Sequence, residues 1–114
     1  MPTAAQKDDI EGAIADLQQV QAALLDAILA STDTVELLRL KAVNDYVANL
    51  MGQLVHTRLV EDEALFAQVM GPIKQTASHL QDQTDKIKNI SSAIGDGAKV
   101  VGYLGGAATF VATV

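Results

Sequence analysis

The sequence predicts an all-α protein. It is either an up-and-down helical bundle or an elongated antiparallel helical hairpin, with coiled-coil-like seams and a short apolar C-terminal helix. Apolar residues recur in steps of three and four along most of the 114 residues. The chain has only two prolines, so long uninterrupted helices are possible. Its apolar residues are mostly Ala, Leu, Val and Ile, and it has four aromatic residues and no Trp. This composition suits slender helix-on-helix packing.

The first helix is predicted over residues 8–30. Its apolar stripe contains Ile10, Ile14, Leu17, Leu24 and Ile28, with Gln21 filling one step, and it is widened by Val20, Leu25 and Leu29. Acidic residues cluster at the start of this segment, where the helix dipole favours negative charge. Gly12 lies early in the helix, where a glycine costs roughly 1 kcal/mol relative to alanine.

The second helix is predicted over residues 34–70. Asp33 followed by Glu36 fits a capping box, so the helix should begin at Thr34. Helical spacing then persists to Met70, which gives a helix of about 36 residues and ~54 Å. The acidic run Glu61-Asp62-Glu63 is its weakest point, and the pattern allows either a bend there or the first turn of a new helix.

The third helix is predicted over residues 72–94. Proline lacks a backbone N–H and is best tolerated at a helix start, so Pro72 is predicted as the first residue, with a kinked continuous helix as the alternative. A strict heptad series, spaced seven residues apart, is predicted to form the assembly seam: Phe66, Ile73, Leu80, Ile87 and Ile94. Gly95-Asp96-Gly97 is predicted to end this helix.

The C-terminal segment, residues 98–114, carries a single charge at Lys99. The fifteen uncharged residues from Val100 to Val114 make ~22 Å of helix, too short to cross a hydrocarbon core of ~30 Å alone. They could lie in a membrane interface, pair with a partner helix, begin a longer span, or be buried in the bundle or an oligomer. The predicted contact residues, which include a G-x-x-x-G pair, are Gly102, Leu104, Gly106, Phe110 and Val111.

Two units are therefore expected, an amphipathic stalk or bundle over residues 1–97 and the apolar segment over residues 98–114. Residues 66–114 are similar in layout to membrane-anchored coiled-coil proteins in general, without a family-specific motif. The N-terminus lacks the basic start and apolar core of a secretion signal, so a cytoplasmic protein with membrane contact is expected.

No motif of catalysis or cofactor binding is found. The chain has no cysteine, no P-loop and no glycine-flanked nucleophile, and Gln53 and Thr76 stand where a di-iron bundle would place the glutamate before each histidine. His79, Asp82 and Asp85 share a helix face and could hold a metal weakly, although a solvated polar face is the favoured interpretation. We therefore expect no enzyme activity, no metal and no cofactor.

Charge argues against nucleic acid as a partner. The net charge is −6, which repels phosphate backbones and anionic lipid. We predict a non-catalytic interaction or scaffold protein that forms a homo-oligomer and contacts a membrane or a partner helix through residues 98–114. The alternative is a soluble helical bundle that serves as a chaperone or carrier for a client protein or an apolar ligand.

Overall fold

The computed structural model of the chain describes residues 2–80, 82, 85 and 97–114. Within these residues the chain forms four α-helices and no strand, so the predicted all-α class is confirmed. The helices are α1 (Ala4–Ala30), α2 (Thr34–Thr57), α3 (Glu63–Ser78) and α4 (Gly97–Thr113). The predicted residues Ile87 and Ile94, and the predicted break at Gly95 and Asp96, lie outside the described residues.

The four helices pack as a bundle in which each contacts two others. α1 lies against α2 and α4, and α3 lies against the same two helices. α1 and α4 run in opposite directions. The start of α1 lies beside the end of α4, where the side-chain Nε2 of Gln6 donates a hydrogen bond to the carbonyl of Val114 at 3.2 Å. The bundle measures 48 × 19 × 19 Å. This is the elongated up-and-down arrangement that short connections between long helices favour.

One continuous core runs along the bundle axis. It is built almost entirely from aliphatic side chains, with Phe66 as its buried aromatic residue. The α1 contribution is Ile10, Ala13, Ile14, Leu17, Val20, Leu24 and Ala27. The expected widening of this stripe is correct for Val20 but wrong for Leu25 and Leu29, which are 53% and 77% exposed.

The first helix begins earlier than its apolar stripe. Thr3 caps α1 through a complete capping box: the Gln6 N–H donates to Thr3 Oγ1 at 3.1 Å, and the Thr3 N–H donates to Gln6 Oε1 at 2.9 Å. These two bonds satisfy backbone donors that would otherwise lack partners. The predicted start at residue 8 is therefore wrong by one turn.

The predicted single helix over residues 34–70 is wrong, because it is divided into α2 and α3. Its start at Thr34 is confirmed, since Asp33 Oδ1 accepts from the N–H groups of Val35 and Glu36 at 2.8 and 3.1 Å. α2 ends at Thr57, and Asp62 caps a new helix by accepting from the N–H of Leu65 at 2.8 Å. The acidic run therefore forms a new first turn, the second of the two alternatives.

Pro72 lies inside α3, so the prediction that it starts a helix is wrong. The Asp62 cap supplies the helix start ten residues earlier. Phe66, Met70, Ile73 and Ala77 bury one face on both sides of the proline, so packing holds the helix together where one backbone hydrogen bond is lost. α3 is also tied to α2 by the Tyr46 hydroxyl, which donates to the carbonyl of Thr76.

Candidate functional site

The predicted C-terminal contact residues are divided between the core and the surface. Leu104 and Val111 are fully buried, together with Val100 and Ala107. Phe110 is half-buried against the core. The inward side of α4 is therefore covered by the bundle itself, the self-burial alternative left open by the sequence. Whether the outward side contacts a partner stays a prediction.

Gly12 and Phe110 form the closest contact between α1 and α4. A Cβ built on Gly12 would lie 2.9 Å from Cζ of Phe110 and 3.0 Å from its Cε1. Only a residue without a side chain lets the aromatic ring lie on the α1 backbone at this distance. The close approach explains why α1 tolerates a glycine in its third turn despite the helix-propensity cost.

The two glycines of the G-x-x-x-G pair have different surroundings. A Cβ on Gly106 would lie 2.5 Å from Oδ2 of Asp16 on α1, whereas a Cβ on Gly102 would have no atom within 4 Å. Gly106 thus makes room for a carboxylate between two helices, and Gly102 is exposed. The pair does not form one association face within the bundle.

Asp16 is a partly buried carboxyl group on α1 that lies beside Gly106 of α4. Burial between α1 and α4 raises the pKa of Asp16 above its ordinary value of 3.8, because desolvation disfavours the charged form. Since the pKa is higher in the folded chain than in the unfolded chain, ionised Asp16 lowers stability at neutral pH. That cost disappears as the pH falls through the folded pKa.

We expect the Asp16→Asn variant to be more stable than the wild type at pH 7. Asparagine keeps the shape of the side chain and removes the desolvated charge. The difference between the two proteins should shrink as the pH is lowered from 7 towards 4, because wild-type Asp16 becomes protonated there. Urea denaturation at several pH values measures this, with Asp26→Asn, an exposed position on the same helix, as the control for the loss of one charge. A difference that grows on acidification would contradict the argument.

The described members of the heptad series face the interior of the bundle. Phe66 and Ile73 are each 3% exposed and Leu80 is 1% exposed, and all three belong to the core shared by the four helices. In the isolated chain they pack against its own helices. Their assignment to an assembly seam stays a prediction.

The polar positions considered for a metal lie on the surface. Nδ1 of His79 is 3.4 Å from Oδ2 of Asp82, with both side chains well exposed. Asp85 and His56 are also exposed. Within the part of the chain that the structure describes, no group of three His, Cys, Asp or Glu side chains could hold a metal ion.

Large apolar side chains at the α1–α2 hairpin end are exposed, which the sequence analysis missed. Here the hairpin-end patch means the following four residues, which flank the three-residue connection between the helices: Leu25, Leu29, Val35 and Leu38. Their exposed fractions run from 53% to 77%. The available signal was the helical register, since Leu29 lies five residues after buried Leu24 and therefore on the opposite side of the helix.

A groove between α2 and α3 is the second feature that the sequence analysis missed. It has a volume of about 640 Å³ and is lined by small and apolar residues together with Gln53, Asn49, His56 and Thr57. The Oε1 atom of Gln53 is buried and has no hydrogen-bond partner among the described residues. A buried acceptor without a donor is costly and uncommon, so it marks this groove as a candidate site.

Comparison of the chain with protein-family models, with curated proteins and with solved structures finds no match. α1 is long and apolar enough to cross a membrane. Core helices of soluble proteins can be equally long and apolar, and a third of the most apolar 18-residue stretch of α1 is buried in the bundle. Among the described residues, the segment Val100–Thr113 is a shorter apolar helix.

Proposed function

We propose that the protein is a non-catalytic interaction protein that self-associates through the hairpin-end patch. One observation carries the proposal: four large apolar side chains are exposed at the end of the bundle where α1 joins α2, and the two most exposed of them, Leu29 and Leu38, are 77% and 63% exposed. Large apolar side chains that are exposed together at one end of a domain support an interaction site there. Burial of a leucine side chain contributes about 1.5–3 kcal/mol, so a few such residues suffice for association.

A second copy of the chain suits this patch in charge. Acidic residues, Asp33 and Glu36, and basic residues, Arg39 and Lys41, follow one another around the start of α2. In a two-fold arrangement each copy presents the same surface to the other, so acidic groups of one can face basic groups of the other. The four charges around the start of α2 therefore balance one another, although the chain as a whole has a net charge of −6.

The outward side of α4 is the proposed contact for a membrane or a partner helix. Val101 is 41% exposed, Gly102 and Gly105 are exposed, and no charged residue occurs between Val100 and Val114. Small residues let a second helix approach closely, either in lipid or in a complex. We propose this outward side as the point of membrane contact, with a partner helix as the alternative.

Self-association is tested with the double variant Leu29→Gln/Leu38→Gln. Both side chains are exposed, so the bundle should keep its helical content and its stability. We expect the wild type to sediment as a dimer or larger oligomer and the double variant to dissociate at least about tenfold more readily. The control is Leu59→Gln/Leu65→Gln, which removes two leucines that are 70% and 48% exposed near the α2–α3 connection. A wild type that stays monomeric at high concentration would contradict the proposal.

Membrane contact is tested by flotation of the wild-type chain with neutral and with anionic liposomes. We expect flotation with neutral lipid, because the attraction is apolar and the net charge is negative. A Val101→Asp/Gly105→Asp variant places charge on the outward side of α4 alone and should stay at the bottom of the gradient. If the wild type fails to float with either lipid, the contact on α4 is with a partner helix or is absent.

A further inference from the structure

The α2–α3 groove has the size and lining of a small-molecule site. Its volume of about 640 Å³ falls within the range of small-molecule sites, and the groove is open to solvent where Gly52 and His56 are exposed. Ala48 and Gly52 lie one turn apart on α2, and Val69, Pro72 and Ile73 form the facing wall on α3. No acidic, lysine or arginine residue lines the groove, although the chain as a whole has a net charge of −6.

Gly52 keeps the groove open on the α2 side. A Cβ built on Gly52 would have no atom within 4 Å, so the space above this residue is empty rather than filled by a neighbouring side chain. A glycine within a helix costs roughly 1 kcal/mol relative to alanine, and at Gly12 a close helix contact accounts for that cost. At Gly52 no contact of the protein itself does so.

Gln53 supplies a buried acceptor beside the groove, whose lining also contains Asn49, His56 and Thr57. Its Oε1 is buried and unpartnered among the residues that the structure describes, and the nearby Thr57 hydroxyl is already used, since it donates to the backbone carbonyl of Gln53 at 2.7 Å. The last torsion of a glutamine side chain is soft, so the amide can turn Oε1 towards a ligand in the groove. An amide oxygen accepts hydrogen bonds, so the ligand must bring a donor.

We infer that this groove binds a neutral, largely apolar small molecule that carries one N–H or O–H donor. The apolar walls bury the body of the ligand, and Gln53 Oε1 accepts from its donor. The lining contains no aspartate, glutamate, lysine or arginine, and its histidine, His56, is exposed, so a charged ligand would be desolvated there without a permanent counter-charge. The groove and the hairpin-end patch share no residue, so this site does not depend on the proposed self-association.

The probe for this site is N-phenyl-1-naphthylamine, an uncharged fluorophore with one N–H whose emission rises in apolar surroundings. We expect saturable binding to the full-length wild type. Gly52→Leu fills the groove without a clash at Cβ and should weaken binding at least tenfold. Ala15→Leu places the same side chain at an exposed position of α1, outside the groove, and should leave binding unchanged.

The hydrogen bond is tested by displacement of the probe with 1-phenylnaphthalene, which has a similar shape but no N–H. The wild type should prefer the amine, and Gln53→Leu should lose that preference while it still binds both compounds. Circular dichroism checks that each variant is folded. The inference is overturned if the folded wild type gives no saturable signal, if a folded Gly52→Leu variant binds as well as Ala15→Leu, or if Gln53→Leu keeps the wild-type preference.

Discussion

Leu104→Ala is expected to lower the free energy of unfolding by about 2–5 kcal/mol, the usual cost of truncating a fully buried leucine. Leu104 is 1% exposed and lies in the core that joins α4 to the rest of the bundle. The substitution removes apolar contacts and leaves a cavity that the neighbouring helices fill only in part. Urea denaturation followed by circular dichroism measures the change.

Val101→Ala is the matched control for this substitution. It lies three residues earlier on the same helix, is 41% exposed, and should change the free energy of unfolding by less than about 1 kcal/mol. If both variants are as stable as the wild type, α4 does not pack in the core in solution, and the C-terminal helix is free to serve a membrane or a partner. A large loss for Leu104→Ala alone establishes the self-buried arrangement.

The local part of the fold could be predicted from the sequence because it depends on local chemistry. Spacing in steps of three and four gave the helices, and the Asp33 side chain gave the start of α2 through its hydrogen bonds to backbone N–H groups. The capping box of Thr3 and Gln6 is equally visible in the sequence. The first buried residue of the stripe is Ile10, so apolar periodicity alone places the start of α1 too late.

The division of the long predicted helix depends on more than local chemistry. The apolar spacing continues across residues 58–62, so periodicity alone does not reveal the turn there. What decides it is the Asp62 cap together with the return of α3 along α2, held by the Tyr46–Thr76 hydrogen bond. Two shorter helices bury their apolar faces against each other, which one helix of ~54 Å could achieve only with a partner chain.

The candidate sites were less predictable than the fold. Leu29 could have been assigned to the surface from helical register, but a leucine at the edge of an apolar stripe, such as Leu25, is assigned to the core or to solvent by the neighbouring helices, whose order around the bundle one helix does not specify. The role of Gln53 was hidden for a similar reason. A glutamine near an apolar stripe is ordinary, and only the position of α3 leaves its Oε1 buried without a donor.

Pro72→Ala is expected to raise the free energy of unfolding by up to about 3 kcal/mol, the difference between proline and alanine inside a helix. Alanine restores the N–H that can donate to the carbonyl four residues earlier and removes the ring that crowds the preceding turn. The buried residues on both sides, Met70 and Ile73, should keep their packing, because α3 is already continuous through this position. Thermal denaturation should show a rise of roughly 4 °C or more per kcal/mol.

The reference for this gain in the free energy of unfolding is Gly52→Ala on α2. This substitution also replaces a poor helix former, and the new Cβ meets no atom within 4 Å. It should gain about 1 kcal/mol, so the proline variant should exceed it. The order follows from mechanism, since glycine costs only backbone entropy whereas proline also removes a hydrogen bond and introduces a steric clash. If Pro72→Ala is instead less stable than the wild type, the proline ring makes packing contacts worth more than the restored hydrogen bond, and the groove that it lines depends on that ring.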